Sequence, residues 1–133
     1  MKNITGAHKL SGSIRIKDNK LVDDQDRVLT LRGVNLGGNC KLPIDTLHFH
    51  GQEKYHKHRE VSFVGRPFKL NEAKEHFKRL SSWGLTFMRL LVPWEALEHS
   101  GPGIYDEAYI NYLIGILDIA KSYGIKCFIG FFI

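Results

Sequence analysis

The first third of the chain alternates polar and apolar residues in short runs, and the last half falls into two longer helical periods, each followed by an apolar run. Ser13-Ile14-Arg15-Ile16-Lys17 alternates as a half-buried strand does. Asp18-Asn19-Lys20 and Asp23-Asp24-Gln25-Asp26 are turn-rich breaks on either side of the short Leu21-Val22 pair. Arg27-Val28-Leu29-Thr30-Leu31-Arg32 alternates again and runs into Gly33-Val34-Asn35-Leu36. The pattern predicts two short strands forming a hairpin or lid within 11–32, then a third strand ending near Asn35. From 37 to 68 no period holds, and the segment carries Gly, Pro and four His. It reads as one long loop, and loops of that length in compact domains are usually functional or disordered.

Beyond the loop the pattern sharpens. Asn71 is the expected N-cap of a helix whose Ala73, Phe77, Leu80 and Trp83 share much of one face. Gly84 supplies the left-handed residue that ends it. Leu85 to Val92 is an apolar strand interrupted by one charge, Arg89, and stopped by Pro93. The same order then returns. Asp106 caps a helix with Tyr109, Leu113, Ile116, Leu117 and Ala120 on one face, Gly124 ends it, and Ile125-Lys126-Cys127-Phe128-Ile129 is the next strand. Ser82-Trp83-Gly84-Leu85 corresponds to Ser122-Tyr123-Gly124-Ile125, an offset of 40 positions (124 minus 84). A repeated helix–glycine–strand unit with doubly buried strands implies parallel strands joined by crossover helices. Right-handed winding of such units gives an open doubly wound sheet or a closed barrel. The open sheet calls for a G-x-G-x-x-G turn leading straight into a helix. Gly33-Val34-Asn35-Leu36-Gly37-Gly38 is glycine-rich but does not fit it, which argues against a dinucleotide site.

Composition narrows the partners. The chain has 133 residues, 43% of them hydrophobic and 25% charged, which is ordinary for one globular domain. The net charge of +5 is spread along the chain rather than gathered into a block, so no nucleic-acid partner is expected. Cys40 and Cys127, the two cysteines, stand far apart and suggest free thiols in a reducing compartment. The opening Met1-Lys2-Asn3-Ile4-Thr5-Gly6 lacks the apolar core of a signal peptide, and no run is long enough to span a membrane. The expectation is cytoplasmic residence.

Candidate chemistry sits where parallel barrels keep their active sites, at the carboxyl ends of the strands. Asn35 ends the first barrel strand, Arg89 lies within the second, and Trp94 follows its end. A guanidinium in an apolar strand is costly unless acceptors meet it. Arg89 therefore either pairs with a barrel-interior acid or snorkels at an edge, or it orients a catalytic carboxylate and holds it ionised. Trp94 is either packing or an apolar platform for a sugar ring. His48, His50, His56 and His58 form no closed ligand set with a carboxylate, so a solvated loop is favoured and no metal is expected. Asp106 and Glu107 have a sufficient role at a helix N-terminus. Glu95 or Glu98, near the second strand's end, is a candidate catalytic acid, with no second carboxylate placed against it.

These residues carry a resemblance. Leu31-Arg32-Gly33-Val34-Asn35-Leu36-Gly37-Gly38, Val61-Ser62-Phe63-Val64-Gly65-Arg66-Pro67-Phe68, the stretch from Phe77 to Glu98, and Gly101-Pro102-Gly103-Ile104-Tyr105-Asp106 resemble the fungal branch of glycoside hydrolase family 5. That branch holds the glucosylceramide- and steryl-glucoside-cleaving β-glucosidases related to endoglycoceramidases. The likeness runs from about Gly12 to Ile129. It implies a (β/α)8 TIM barrel of which residues 1–133 are the amino-terminal part: a hairpin and entry to the first strand over 11–32, a long first loop over 37–68, then helix–strand–helix–strand over 71–133. It implies retaining hydrolysis by two glutamates, with no cofactor, on a glycolipid or other β-glucoside, and peripheral membrane contact in the full-length enzyme. In the family those glutamates follow the fourth and seventh strands, and this chain ends in the third. Arg89 matches the arginine that hydrogen-bonds the nucleophile. Lys41, six positions after Asn35, resembles a sugar-contacting lysine, and Asn35 and Trp94 complete the expected substrate-binding set. After Ile129 the family continues Asp-Pro-His-Gln, whereas this chain reads Gly130-Phe131-Phe132-Ile133, a departure that suggests a truncated gene model, a retained intron or a frameshift. Two readings follow: the opening segment of a lipid-glycoside β-glucosidase, inactive alone, or a non-catalytic remnant that binds sugar or lipid.

Overall fold

The computed structural model describes residues 12–44, 59 and 61–132. Strands β1 (Arg15–Lys17) and β2 (Lys20–Val22) form an antiparallel hairpin, with Arg15 opposite Val22. Its two-residue turn, Asp18-Asn19, has positive φ at both positions (48° and 58°), the conformation that matches the twist of a tight hairpin. The sequence pattern set the second hairpin strand at Arg27–Arg32. The structure instead pairs the Leu21-Val22 pair, and 27–32 contributes only a single bridge, Val22 to Val28. Asp23 explains the shift. Its carboxylate accepts from the amides of Gln25 and Arg27 (both 2.9 Å) and from Arg27 Nε (2.6 Å), folding 23–27 into a turn. Burial alone raises the Asp23 pKa, but these bonds more than offset it and leave the carboxyl below its ordinary value of 3.8.

The principal sheet is parallel, in the order β3 (Gly33–Leu36), β4 (Phe87–Pro93), β5 (Lys126–Phe132). Helix α1 (Ala73–Ser82) crosses from β3 to β4, and α3 (Glu107–Ser122) crosses from β4 to β5. A short helix, α2 (Trp94–Glu98), follows β4 directly. Both crossover helices end in the same way. Leu85 N reaches Leu80 O (2.9 Å) and Gly84 N reaches Ser81 O (3.1 Å); forty positions on, Ile125 N reaches Ala120 O and Gly124 N reaches Lys121 O (both 3.0 Å). Gly84 and Gly124 hold φ of 74° and 71°, where a side chain would be strained. The repeated junction read from sequence is thus one capping motif used twice to turn a helix back into a strand.

The helix starts differ. Asn71 is not a cap: Leu70–Glu72 forms a 3-10 turn ahead of α1, and Glu72 reaches back to accept from Lys69 N (3.3 Å). Asp106 does cap α3, accepting from Tyr109 N at 2.8 Å. That backbone bond, then His99, holds the Asp106 carboxyl below its ordinary 3.8. The linkage has a definite sign. A depressed folded-state pKa stabilises above the unfolded pKa, and the contribution disappears as pH falls below 3.8 toward the folded value. Replacing Asp106 with Ala is expected to lower amide protection in the first turn of α3 at neutral pH and to flatten its further loss on acidification. Amide exchange at Tyr109 at neutral pH and at pH values below 3.8 checks this, and an unchanged acid limb would count against the cap.

One layer of core lies between helices and sheet. Phe77 of α1, Met88, Leu90 and Val92 of β4, and Tyr109 and Ile116 of α3 are buried. Alternation along β4 sends Met88, Leu90 and Val92 to that helix-covered side and Phe87, Arg89 and Leu91 to the other. The second side is bare: Arg89 and Phe128 are exposed there. Among the described residues nothing pairs with the outer edges of β3 and β5. A groove of about 450 Å³ opens between α1 and the helix-side flank of β3, lined by Leu36, Phe68, Leu80 and Trp83 among others. At the amino ends of the strands Lys126 Nζ bonds the carbonyl of Gly12, which brings the start of the hairpin region to the foot of β5.

Candidate functional site

Register decides which side chains share the bare face. Asn35 of β3, Arg89 of β4 and Phe128 of β5 are in-register partners across three parallel strands, so their side chains leave the same side of the sheet. The structure therefore brings Asn35 and Arg89 together. The Arg89 side chain forms no hydrogen bond or ion pair with any described residue, although its backbone is paired on both sides in the sheet. Its guanidinium lies over Gly130, where an added Cβ would sit 2.5 Å from Arg89 Nε. Gly130 thus makes room for the arginine to cross the inner face toward β5. No salt bridge of Arg89 to an interior acid occurs among the described residues.

Lys41 lies just past the carboxyl end of β3 and is exposed. Its backbone is tied to a 3-10 turn at Gly38–Cys40. A Cβ on Gly37 would stand 2.8 Å from Leu91 Cδ1 and 3.1 Å from Lys41 Cβ. The root of Lys41 is therefore close to Leu91, which is on the Arg89 side of β4. Trp94 is placed apart from this group. Its ring meets Phe131 edge to face at 5.8 Å, and Phe131 is paired with Val92 in the helix-side row. The residue is 47% exposed, so much of it stays open to solvent.

Three acids near the second parallel strand, Glu95, Glu98 and Asp106, have partners. Glu95 accepts from Ser62 Oγ and from Phe63 N, both at 2.9 Å. Glu98 accepts from the amide of Gly103, and Asp106 caps α3. None stands free on the bare face to act as a general acid. Sequence reasoning treated Glu95 as a possible catalytic acid and missed its role as a fastener of the long loop. The partners lie 32 and 33 positions upstream, and no local pattern signals a bond over that span.

A second cluster escaped the sequence reading. Arg66 stacks its guanidinium over Tyr109 and Tyr112, 5.7 and 5.3 Å from their ring centres, and the two rings stack on each other at 6.1 Å. Tyr112 Oη donates to Phe68 O at 2.7 Å. Burial pushes the Tyr112 phenol up to about 12 and the Cys40 thiol to about 11. Cys40 and Cys127 are both free, and burial raises Cys127 to about 11 as well. Thiols held this far above neutrality carry little thiolate and suit packing rather than nucleophilic chemistry. Among the described residues no three His, Cys, Asp or Glu side chains gather closely enough to hold a metal ion. His48, His50, His56 and His58 lie outside those residues. No helix among the described residues is long and apolar enough to cross a membrane.

Comparison with known proteins places this geometry in context. No protein-family model matches the chain. A glucosylceramidase of Rhizopus delemar is 49% identical over 127 residues, which is 92% of this chain and 19% of that protein. A glucosylceramidase of Cryptococcus neoformans is 45% identical over 120 residues, covering 90% of this chain and 16% of that protein. An ergosteryl-β-glucosidase of Saccharomyces cerevisiae is 35% identical over 110 residues, 79% of this chain and 14% of the relative. A crystal structure of Cryptococcus neoformans sterylglucosidase 1 superposes with a TM-score of 0.65 at 36% identity, over 83% of this chain and 16% of that one. The chain thus spans less than a fifth of the length of the relatives it matches. Over that segment it is a homologue of the fungal glucosylceramidases and steryl-β-glucosidases.

Proposed function

We propose that this chain is the opening wall of a (β/α)8 barrel of glycoside hydrolase family 5, one that hydrolyses the β-glucosidic bond of a glycolipid such as glucosylceramide or a steryl glucoside. The observation that carries the reading is Arg89. Its side chain has no partner among the described residues and stands on one face of a parallel sheet, beside Asn35, in a segment homologous to such glucosidases. Arg89 is solvated on that face, but once further strands cover it the guanidinium needs an anion to meet it. In this reading the anion is the nucleophilic glutamate, supplied with the acid/base glutamate by later strands of the barrel. In a retaining pair the two carboxyls stand about 5–5.5 Å apart, one attacking the sugar and the other protonating the leaving oxygen. Asn35 and Lys41 are the sugar contacts at the strand ends. Trp94 completes the substrate set through its solvent-open half, and contact with a membrane surface brings a lipid substrate to the mouth.

The partnered state of Glu95, Glu98 and Asp106 favours a second reading for the chain by itself. With these three acids engaged, this segment alone performs no acid/base chemistry and is at most a sugar- or lipid-binding piece. A chimera separates the two. This chain replaces the matching segment of the Rhizopus delemar glucosylceramidase, and glucose release from glucosylceramide and from ergosteryl glucoside is measured. Activity comparable to the parent supports the enzymatic reading. A folded chimera that releases no glucose from either substrate sinks it.

A further inference from the structure

Both oxygens of Glu95 are engaged, and both donors belong to the returning leg of the long connection between β3 and α1. That leg is in turn joined to the outgoing leg by two backbone bonds. Asn39 N donates to Pro67 O at 2.9 Å, and Ile44 N donates to Ser62 O at 2.7 Å. Lys41 lies between these two rungs. Ser62 is common to both connections: its hydroxyl bonds Glu95 and its carbonyl receives Ile44. Glu95 itself is the second residue of α2, which continues without a break from β4, the strand of Arg89. One carboxylate therefore links the strand that carries the arginine to the loop that carries the lysine.

We propose that Glu95 is a positioning residue for the sugar site, fixing the loop so that Lys41 is held at the mouth of the Arg89 face. The inference rests on the functional reading above, because it takes Lys41 as a sugar contact. Loss of the anchor removes the bonds that Ser62 Oγ and Phe63 N donate to Glu95. The Ile44 rung then loosens, and Lys41 samples positions away from the substrate. Binding suffers more than chemistry, since no reacting group has moved.

The test is a double-mutant cycle in the Rhizopus chimera, with Lys41→Ala, Glu95→Ala and the pair compared by KM and kcat on glucosylceramide. Each single change is expected to raise KM about tenfold, the size of one lost charge-assisted hydrogen bond, with kcat little altered. The double variant is expected to be no worse than Lys41→Ala alone. Glu95→Gln keeps an acceptor for one of the two donors and should fall between wild type and Glu95→Ala. Additive penalties overturn the proposal, as does a Glu95→Ala variant that melts lower while KM stays put. If Lys41→Ala leaves KM unchanged in an active chimera, the sugar-contact role of Lys41 fails and the positioning role fails with it. Amide exchange at Ile44 gives a readout independent of catalysis. It should quicken in Glu95→Ala and Glu95→Gln, and unchanged exchange in a folded chimera overturns the anchor whether or not glucose is released.

Discussion

Replacing Arg89 with Ala in an active chimera is expected to lower kcat about 100-fold or more while KM changes little. An arginine that acts on a catalytic carboxylate contributes to the transition state rather than to ground-state binding, so its loss falls on kcat. The geometry supports a large effect. Arg89 has no described protein partner to compensate, and it is bracketed by Asn35 and Phe128 on the same face. The pH profile adds a signature that a merely structural residue would not move. A nearby cation lowers a carboxylate's pKa, so removing it raises the pKa of the nucleophile. The acid limb of kcat/KM should then shift to higher pH, because the nucleophile must be ionised to attack. Arg89→Lys keeps the charge but loses the planar fork of donors, and should recover the pH profile better than the rate. Activity within about twofold of the parent for Arg89→Ala, with an unmoved acid limb, would remove Arg89 from the mechanism.

The second large expectation concerns the 133-residue chain on its own. It should show helical and strand backbone signals but no sharp cooperative melt, and it should bind apolar dyes. Its core is a single layer between α1, α3 and the sheet, while among the described residues nothing covers the other face of the sheet. Phe128 is 54% exposed, Phe131 56% and Trp83 68%, values that large aromatics rarely keep in a finished domain. The edges of β3 and β5, which no described strand pairs, add a route to aggregation. Retained secondary structure without fixed side-chain packing is the mark of a molten state. Near-ultraviolet circular dichroism, dye binding and a thermal scan of the monomer check this together. A single sharp transition in a monomer that binds no dye would show that three strands and two crossover helices suffice.

The two outcomes bear on how much of this structure could be read in advance. The crossover units were legible because helix period, terminal glycine and apolar strand are local signals, and Gly84 and Gly124 announce the same turn forty residues apart. Asp106 was legible for the same reason, since a cap acts on amides three residues away. Arg89 stood out because it breaks an apolar run. What failed to show was anything fixed by contact across the fold. Asp23 reorganises 23–27 and moves the hairpin strand from 27–32 to Lys20–Val22, although 27–32 alternates well. Asn71 loses the cap because the chain enters α1 through a 3-10 turn closed by Glu72. Glu95 and Arg66 are ordinary surface types in sequence, and only the return of the long loop gives them partners. Trp94 lies in the expected stretch, yet its ring turns to Phe131 rather than to Arg89. Residue type and spacing located the strand-end positions, and tertiary packing assigned their directions.

The central claim is that the bare face of β3, β4 and β5 is the inner wall of an active site completed by later parts of a barrel. A crystal structure of the Rhizopus chimera tests it most directly. The account predicts that the Arg89 guanidinium will lie within hydrogen-bond distance of a strand-end glutamate from the added portion, with Phe128 buried beside it and Lys41 at the open end. An Arg89 still facing solvent, or a chimera in which this sheet face packs against no other strands, would contradict the account.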